Sequence, residues 1–241
     1  MTNPTEQLGH HYSRQFNEEL EAIRGRALEM GGLVEEQLKR ALKALVKGDS
    51  ELGEQVAHDD YQVNHLEVSI DEECSRIIAL RQPTASDLRL VMAIVKTITD
   101  LERVGDEAEK IGFLSSRLAV QERPENRYKE IKHLGRQVRE MLHNALDCLA
   151  RLDAEAALSI AREDSNVDDE YEAIMRQSIT LMMEDPRSIR RVLDTLWVAR
   201  ALERIGDHAV NICEYVVFMV HGKDIRHISV EQAADEAGLS I

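Results

Sequence analysis

At 241 residues the chain is long enough for one large domain or two small ones, each with its own buried core. Charged residues make up 31% and aromatics only 4%, with 12 glycines and 4 prolines, a balance that favours helices over sheet. A formal net charge of −15 argues against nucleic acid or an anionic membrane surface as partner, because both are bound by lysine and arginine meeting phosphates.

Cys74, Cys148 and Cys213 stand far apart with no Cys-x-x-Cys pair and read as reduced core residues. With no signal peptide at the N-terminus, they make a cytoplasmic location the expectation. The longest apolar run, Val216-Val-Phe-Met-Val220 with Tyr215 before it, falls well short of the roughly 20 residues of a bilayer span, so no direct membrane insertion is expected.

Residues 1 to 8 lack apolar periodicity, and a first long helix begins near His10. Phe16, Leu20, Ile23, Ala27, Met30, Val34, Leu38, Ala41 and Leu45 recur at threes and fours, as one apolar helix face requires. Gly48 ends it, and Asp49 or Ser50 caps the next. A second helix carries Val56, Val63, Leu66, Ile70, Cys74 and Ile77 and stops at Arg81-Gln-Pro83.

The third helix follows, capped by Thr84 or Ser86, with Val91, Ile94, Ile98, Leu101, Val104, Ala108 and Ile111 inward. Glu102, Asp106 and Glu109 lie just beside that face. The pattern breaks around Pro124. Three more helices are predicted near 126–150, 153–182 and 186–221, the last with Asp185 as cap and Pro186 at its first position.

The second half repeats the first. At an offset of 104, Leu38, Ala41, Leu45, Asp49, Asp60 and Val63 answer to Leu142, Ala145, Leu149, Asp153, Asp164 and Val167, with Asn64 against Asp168. At an offset of 101, Asp100-Leu-Glu-Arg-Val-Gly-Asp106 returns as Ala201-Leu-Glu-Arg-Ile-Gly-Asp207. The fold predicted is all-α: six long helices forming two tandem, pseudo-symmetric three-helix bundles. The first unit spans 8–122 and the second 124–222, with 223–241 a polar tail.

On a helix Glu102 and Asp106 project from one face, as do Glu203 and Asp207. Such pairs repel by roughly 0.2–0.5 kcal/mol unless a positive charge sits between them. Gly105 and Gly206, in mid-helix, each cost about 1 kcal/mol relative to alanine. A cation held by the carboxylates, with another backbone packed over the glycine, accounts for both features. The second helix of each repeat supplies the facing pair, Asp60 with Asn64 and Asp164 with Asp168. About four oxygen donors per repeat suit magnesium, manganese, iron or zinc.

Other readings compete. The acidic pairs could be solvated faces of a helical scaffold, with Arg103 pairing to Glu107. A carboxylate-bridged, ferritin-like metal bundle is a further alternative. Glu130-x-x-His133 and Glu140-x-x-His143 have the spacing of di-iron ligands but share one helix, about 80° apart around its axis. His10, His11, His58, His208 and His221 read as surface or helix-end residues. No motif marks a catalytic nucleophile, and no enzyme activity is expected.

Leu80-Arg-Gln-Pro-Thr-Ala-Ser-Asp-Leu-Arg89, Asp100-Leu-Glu-Arg-Val-Gly-Asp-Glu-Ala108 and Leu202-Glu-Arg-Ile-Gly-Asp-His-Ala209 together resemble the PhoU family of phosphate-signalling regulators, from about His11 to Asp224. The resemblance implies tandem three-helix bundles, a homodimer, and iron or zinc held by Glu102, Asp106, Glu203 and Asp207, with Asp60, Asp164 and Asp168 on the partner helices. Asn64 leaves repeat 1 one acidic ligand short. The implied function is negative regulation of the phosphate-starvation response and of phosphate uptake. The implied partners are a phosphate ABC transporter ATPase and the sensor histidine kinase of the phosphate regulon.

Overall fold

The computed structural model describes residues 14–121, 128–226, 228 and 232. The helices are α1 (Arg14–Lys47), α2 (Ser50–Asp59), α3 (Tyr61–Arg81), α4 (Ala85–Ala119), α5 (Lys129–Arg151), α6 (Ala154–Ala161), α7 (Asp164–Glu184) and α8 (Ile189–His221). A 3-10 turn, Pro186–Ser188, precedes α8. These segments are the six long helices of two three-helix bundles, two of them kinked. The predicted start near His10 and the break at Pro124 lie outside the described residues.

Neither kink is signalled by glycine or proline. The second helix breaks at Asp60, which keeps a right-handed backbone (φ −58°, ψ −28°), and its counterpart breaks just before Asp164. The break turns Asp60 inward to 4% exposure, while Asp59 stays at the surface paired with Arg40 at 2.8 Å. The aspartate caps are duplicated. Asp49 accepts from Leu52 N and Asp153 from Ala156 N, each at 3.0 Å. Asp185 caps the 3-10 turn, accepting from Arg187 N at 3.1 Å.

One apolar core runs through both repeats, from Ile23, Ile70 and Ile94 to Val198 and Ile212. The repeats meet along α1 and α5, and along the two long helices α4 and α8. A Cβ on Gly31 would lie 2.5 Å from Leu146, and one on Gly135 2.7 Å from Leu42, so each repeat seats a leucine on the other's glycine. Within repeat 1 the contact at Gly53 and Gly112 is backbone against backbone. A Cβ on Gly53 would stand 2.6 Å from the Gly112 carbonyl oxygen, and one on Gly112 would stand 2.8 Å from that of Gly53.

Two expectations are corrected. His208, expected at the surface, is buried in the α4–α8 contact, because its ring nitrogen has a carboxylate to meet there. Ile225, assigned to the polar tail, is 4% exposed and joins the core, so the chain beyond α8 folds back to bury it.

Candidate metal centre

In the first repeat the kink delivers Asp60 to the edge of α4. Its Oδ1 accepts from Gln37 Nε2 at 2.8 Å and its Oδ2 from Asn64 Nδ2 at 3.1 Å. Asp60, Asp106 and Glu109 each offer one carboxylate oxygen, all within 4.8 Å of one another. Glu109 lies three residues beyond Asp106, so both project to the same side of α4. Its sequence signal was its place at the border of the core stripe, which did not separate it from ordinary solvated glutamates.

Gly105 makes the approach of α3 possible. What lies over it is side chain, not the other backbone expected: a Cβ would stand 3.0 Å from Asp60 Oδ1 and 3.1 Å from Val63 Cγ1. The electrostatics are uniform in sign. Burial, then Asp60 and Glu107, pushes Asp106 above its ordinary pKa. Glu109 is raised by burial, Asp60 and Asp106, and Glu102 by burial, Asp106, Glu67 and Asp60. Carboxylates crowded in this way are the ones a cation stabilises most.

The second repeat brings the corresponding carboxylates near one another with different partners. Burial, with Asp168 and Asp207 adding, raises Asp164 to about 6. Glu203 is raised by burial and Asp207, and Asp207 by burial and Asp168. Where Gln37 stands over Asp60, this repeat has Met141, and Asp164 Oδ1 is buried without a hydrogen-bond partner. Glu203 Oε2 is also buried and unpartnered, although the other oxygen meets Arg200. Val210 occupies the position of Glu109. Among the described residues, the three-carboxylate group within 4.8 Å is that of the first repeat.

The donors fit a hard or borderline cation: they are oxygens, burial and neighbouring carboxylates raise the pKa of several of them, and two in the second repeat lack a hydrogen-bond partner. Asp60, Asp106, Glu109 and Glu102 would hold it in one repeat, and Asp164, Asp168, Glu203 and Asp207 in the other. Asn64 serves as a donor to Asp60. A bound cation would supply neutralising charge among these carboxylates. The two Glu-x-x-His sequences are not brought together, since His133 pairs with Glu170 at 3.5 Å and His143 with Glu35 at 3.1 Å.

The clefts flank an antiparallel seam between α4 and α8. Glu107 pairs with Arg204, and Arg117 lies 3.0 Å from Asp194. Buried Asp100 accepts from Tyr215 Oη at 2.7 Å and Asn211 Nδ2 at 3.1 Å, and lies 2.7 Å from His208 Nδ1. Burial pushes Asp100 up, but those three hydrogen bonds together outweigh it and leave its pKa below the ordinary value. The only sequence signal was that Asp100 departs from the repeat, its counterpart being Ala201.

Residues 27–114 and 131–216 match the PhoU domain model. The chain is similar to the phosphate-specific transport system accessory protein PhoU homolog of Pseudomonas putida, 51% identical over 231 residues, covering 96% of this chain and 90% of the relative. It is 50% identical over 226 residues to the phosphate-specific transport system accessory protein PhoU of Escherichia coli K12, covering 93% of each. Its fold matches the crystal structure of PhoU from Pseudomonas aeruginosa with a TM-score of 0.84 at 51% identity, over 86% of this chain and 100% of that one. The phosphate transport system regulatory protein PhoU of Streptococcus pneumoniae follows with a TM-score of 0.81 at 32% identity, over 87% and 98%. The chain belongs to the PhoU family.

Proposed function

We propose that this protein restrains phosphate uptake and the phosphate-starvation response, acting as a cytoplasmic adaptor between a phosphate ABC transporter ATPase and the sensor histidine kinase of the phosphate regulon. The observation that carries the reading is full-length similarity to relatives named accessory proteins of the phosphate-specific transport system. No described helix is long and apolar enough to cross a membrane, which agrees with a protein that reaches the transporter from outside the bilayer. It works by contact and not by chemistry on a substrate, as a homodimer, with cations in the paired clefts neutralising faces that would otherwise repel a partner.

The test is a deletion strain carrying a phosphate-starvation promoter fused to a reporter. With phosphate plentiful, deletion raises expression at least tenfold and this gene restores repression. Unchanged expression in the deletion strain contradicts the reading.

A further inference from the structure

One side of the α4–α8 seam carries an unbroken stripe from each helix, and positions 101 residues apart occupy opposite ends of it. Trp197 answers to Lys96, Leu193 to Met92 and Phe113 to Glu214. At the Glu214 end the chain folds back over part of the seam, although Met92 there stays 42% exposed. Ile225 is buried there, and the Asp224 carboxylate, held down to about 2 chiefly by Arg226, also feels Lys96. At the opposite end Trp197 is 54% and Phe113 57% exposed, and Leu193, one turn of α8 before Trp197, is exposed too.

Cations border those rings. Lys110 Nζ stands 5.5 Å from the Trp197 ring and the Arg117 guanidinium 5.9 Å from that of Phe113. Just beyond, an open pocket of about 500 Å³ is lined by Arg117, Gln121, Arg187, Arg190 and Arg191. Four arginines around one pocket run against the net charge of −15 on the chain. Asp194 answers Arg117.

We propose that this end of the seam docks a segment of a partner protein carrying an apolar side chain flanked by aspartate or glutamate. The apolar side chain would cover Trp197 and Phe113, and its carboxylates would meet Arg187 and Arg190 in fork geometry. Exposed tryptophan and arginine together are the residue types that dominate interface energetics. At the covered end an apolar side chain, Ile225, is buried next to the Asp224 carboxylate, which pairs with Arg226 of the same segment. The inference deepens the adaptor reading and rests on it for the existence of a protein partner.

Trp197 is the chain's one tryptophan and reports on the surface directly. The probes are a synthetic amphipathic peptide with leucines at helical spacing flanked by glutamates, the same peptide with lysine for glutamate, and phosphatidylglycerol vesicles. The glutamate peptide shifts Trp197 emission to the blue and saturates; the lysine peptide does neither. Arg187→Glu/Arg190→Glu, at two exposed positions, weakens binding at least tenfold and Phe113→Ala about fivefold, with circular dichroism and metal content unchanged.

Equal response to both peptides, response to vesicles alone, self-association that shifts the emission without peptide, or no response to any probe overturns the proposal. The promoter reporter separates the two readings. An unresponsive reporter with glutamate-peptide binding intact removes the adaptor reading and leaves the surface. A responsive reporter with no peptide binding does the reverse.

Discussion

Gln37 and Met141 hold the same place in the two repeats, and they give the aspartate below different hydrogen-bonding surroundings. Gln37 donates to Asp60, whereas Asp164 has an orphaned oxygen and a pKa near 6. With the folded value raised from 3.8, the folded state binds more protons than the unfolded one between the two values, so stability falls as pH rises through that window and stays reduced above it. Without added cation, Asp164→Asn therefore raises the melting temperature by a few degrees at about pH 7.5 and leaves it nearly unchanged at about pH 3.5, read by thermal melts. Met141→Gln places a donor over Asp164 and moves its titration to lower pH, read by carboxyl carbon NMR. An unshifted titration would show that burial and neighbouring charge alone set the value. The repeated Glu-x-x-x-Asp pairs were legible because each stands in the sequence twice. Glu109 was not, because Val210 breaks its repetition.

At the scale of the element, the Asp49 and Asp185 caps were legible and the kinks were not, while Thr84, expected to cap the third helix, stands there without a side-chain hydrogen bond. Asp49 and Asp153 precede their apolar stripes in the ordinary N-cap pattern, each contributing about 1 kcal/mol. The break at Asp60 follows from tertiary demand on a buried carboxylate, for which a local propensity rule gives no sign. The Gly53–Gly112 contact was equally hidden, since a mid-helix glycine does not reveal what crosses it. Gly112→Ala gains about 1 kcal/mol of helix propensity. It also sets a methyl 2.8 Å from a backbone carbonyl oxygen that no rotamer change can move. Overpacking of that kind costs about 1–3 kcal/mol, so the variant is expected to lose net stability in urea unfolding. Gly31→Ala meets only the tip of Leu146 and is expected to be nearly neutral in the same assay.

Across the whole molecule, periodicity and the internal repeat were enough for two three-helix units, but not for how they join. That depends on residues that break the repeat: Asp100 against Ala201, and Glu107 against His208. Asp100→Ala would strand Tyr215, Asn211 and His208 at a buried contact. A loss of about 3 kcal/mol or more is expected in denaturant unfolding, with both repeats affected because they share the seam. The phosphate connection came from resemblance and not from composition, because an acidic helical bundle has no residue pattern that specifies its partner.

The measurement that bears most directly on the cation clefts is elemental analysis of freshly purified protein, dialysed without chelator, beside an Asp106→Asn/Asp207→Asn variant. Both side chains reach solvent at the rim of their carboxylate groups, although the protein around them desolvates them enough to raise their pKa, so the variant is expected to keep its helical circular dichroism. Stoichiometric divalent or transition metal is expected in the wild type, and its loss from the variant. Absence of metal from both, or equal metal in both, would contradict that expectation.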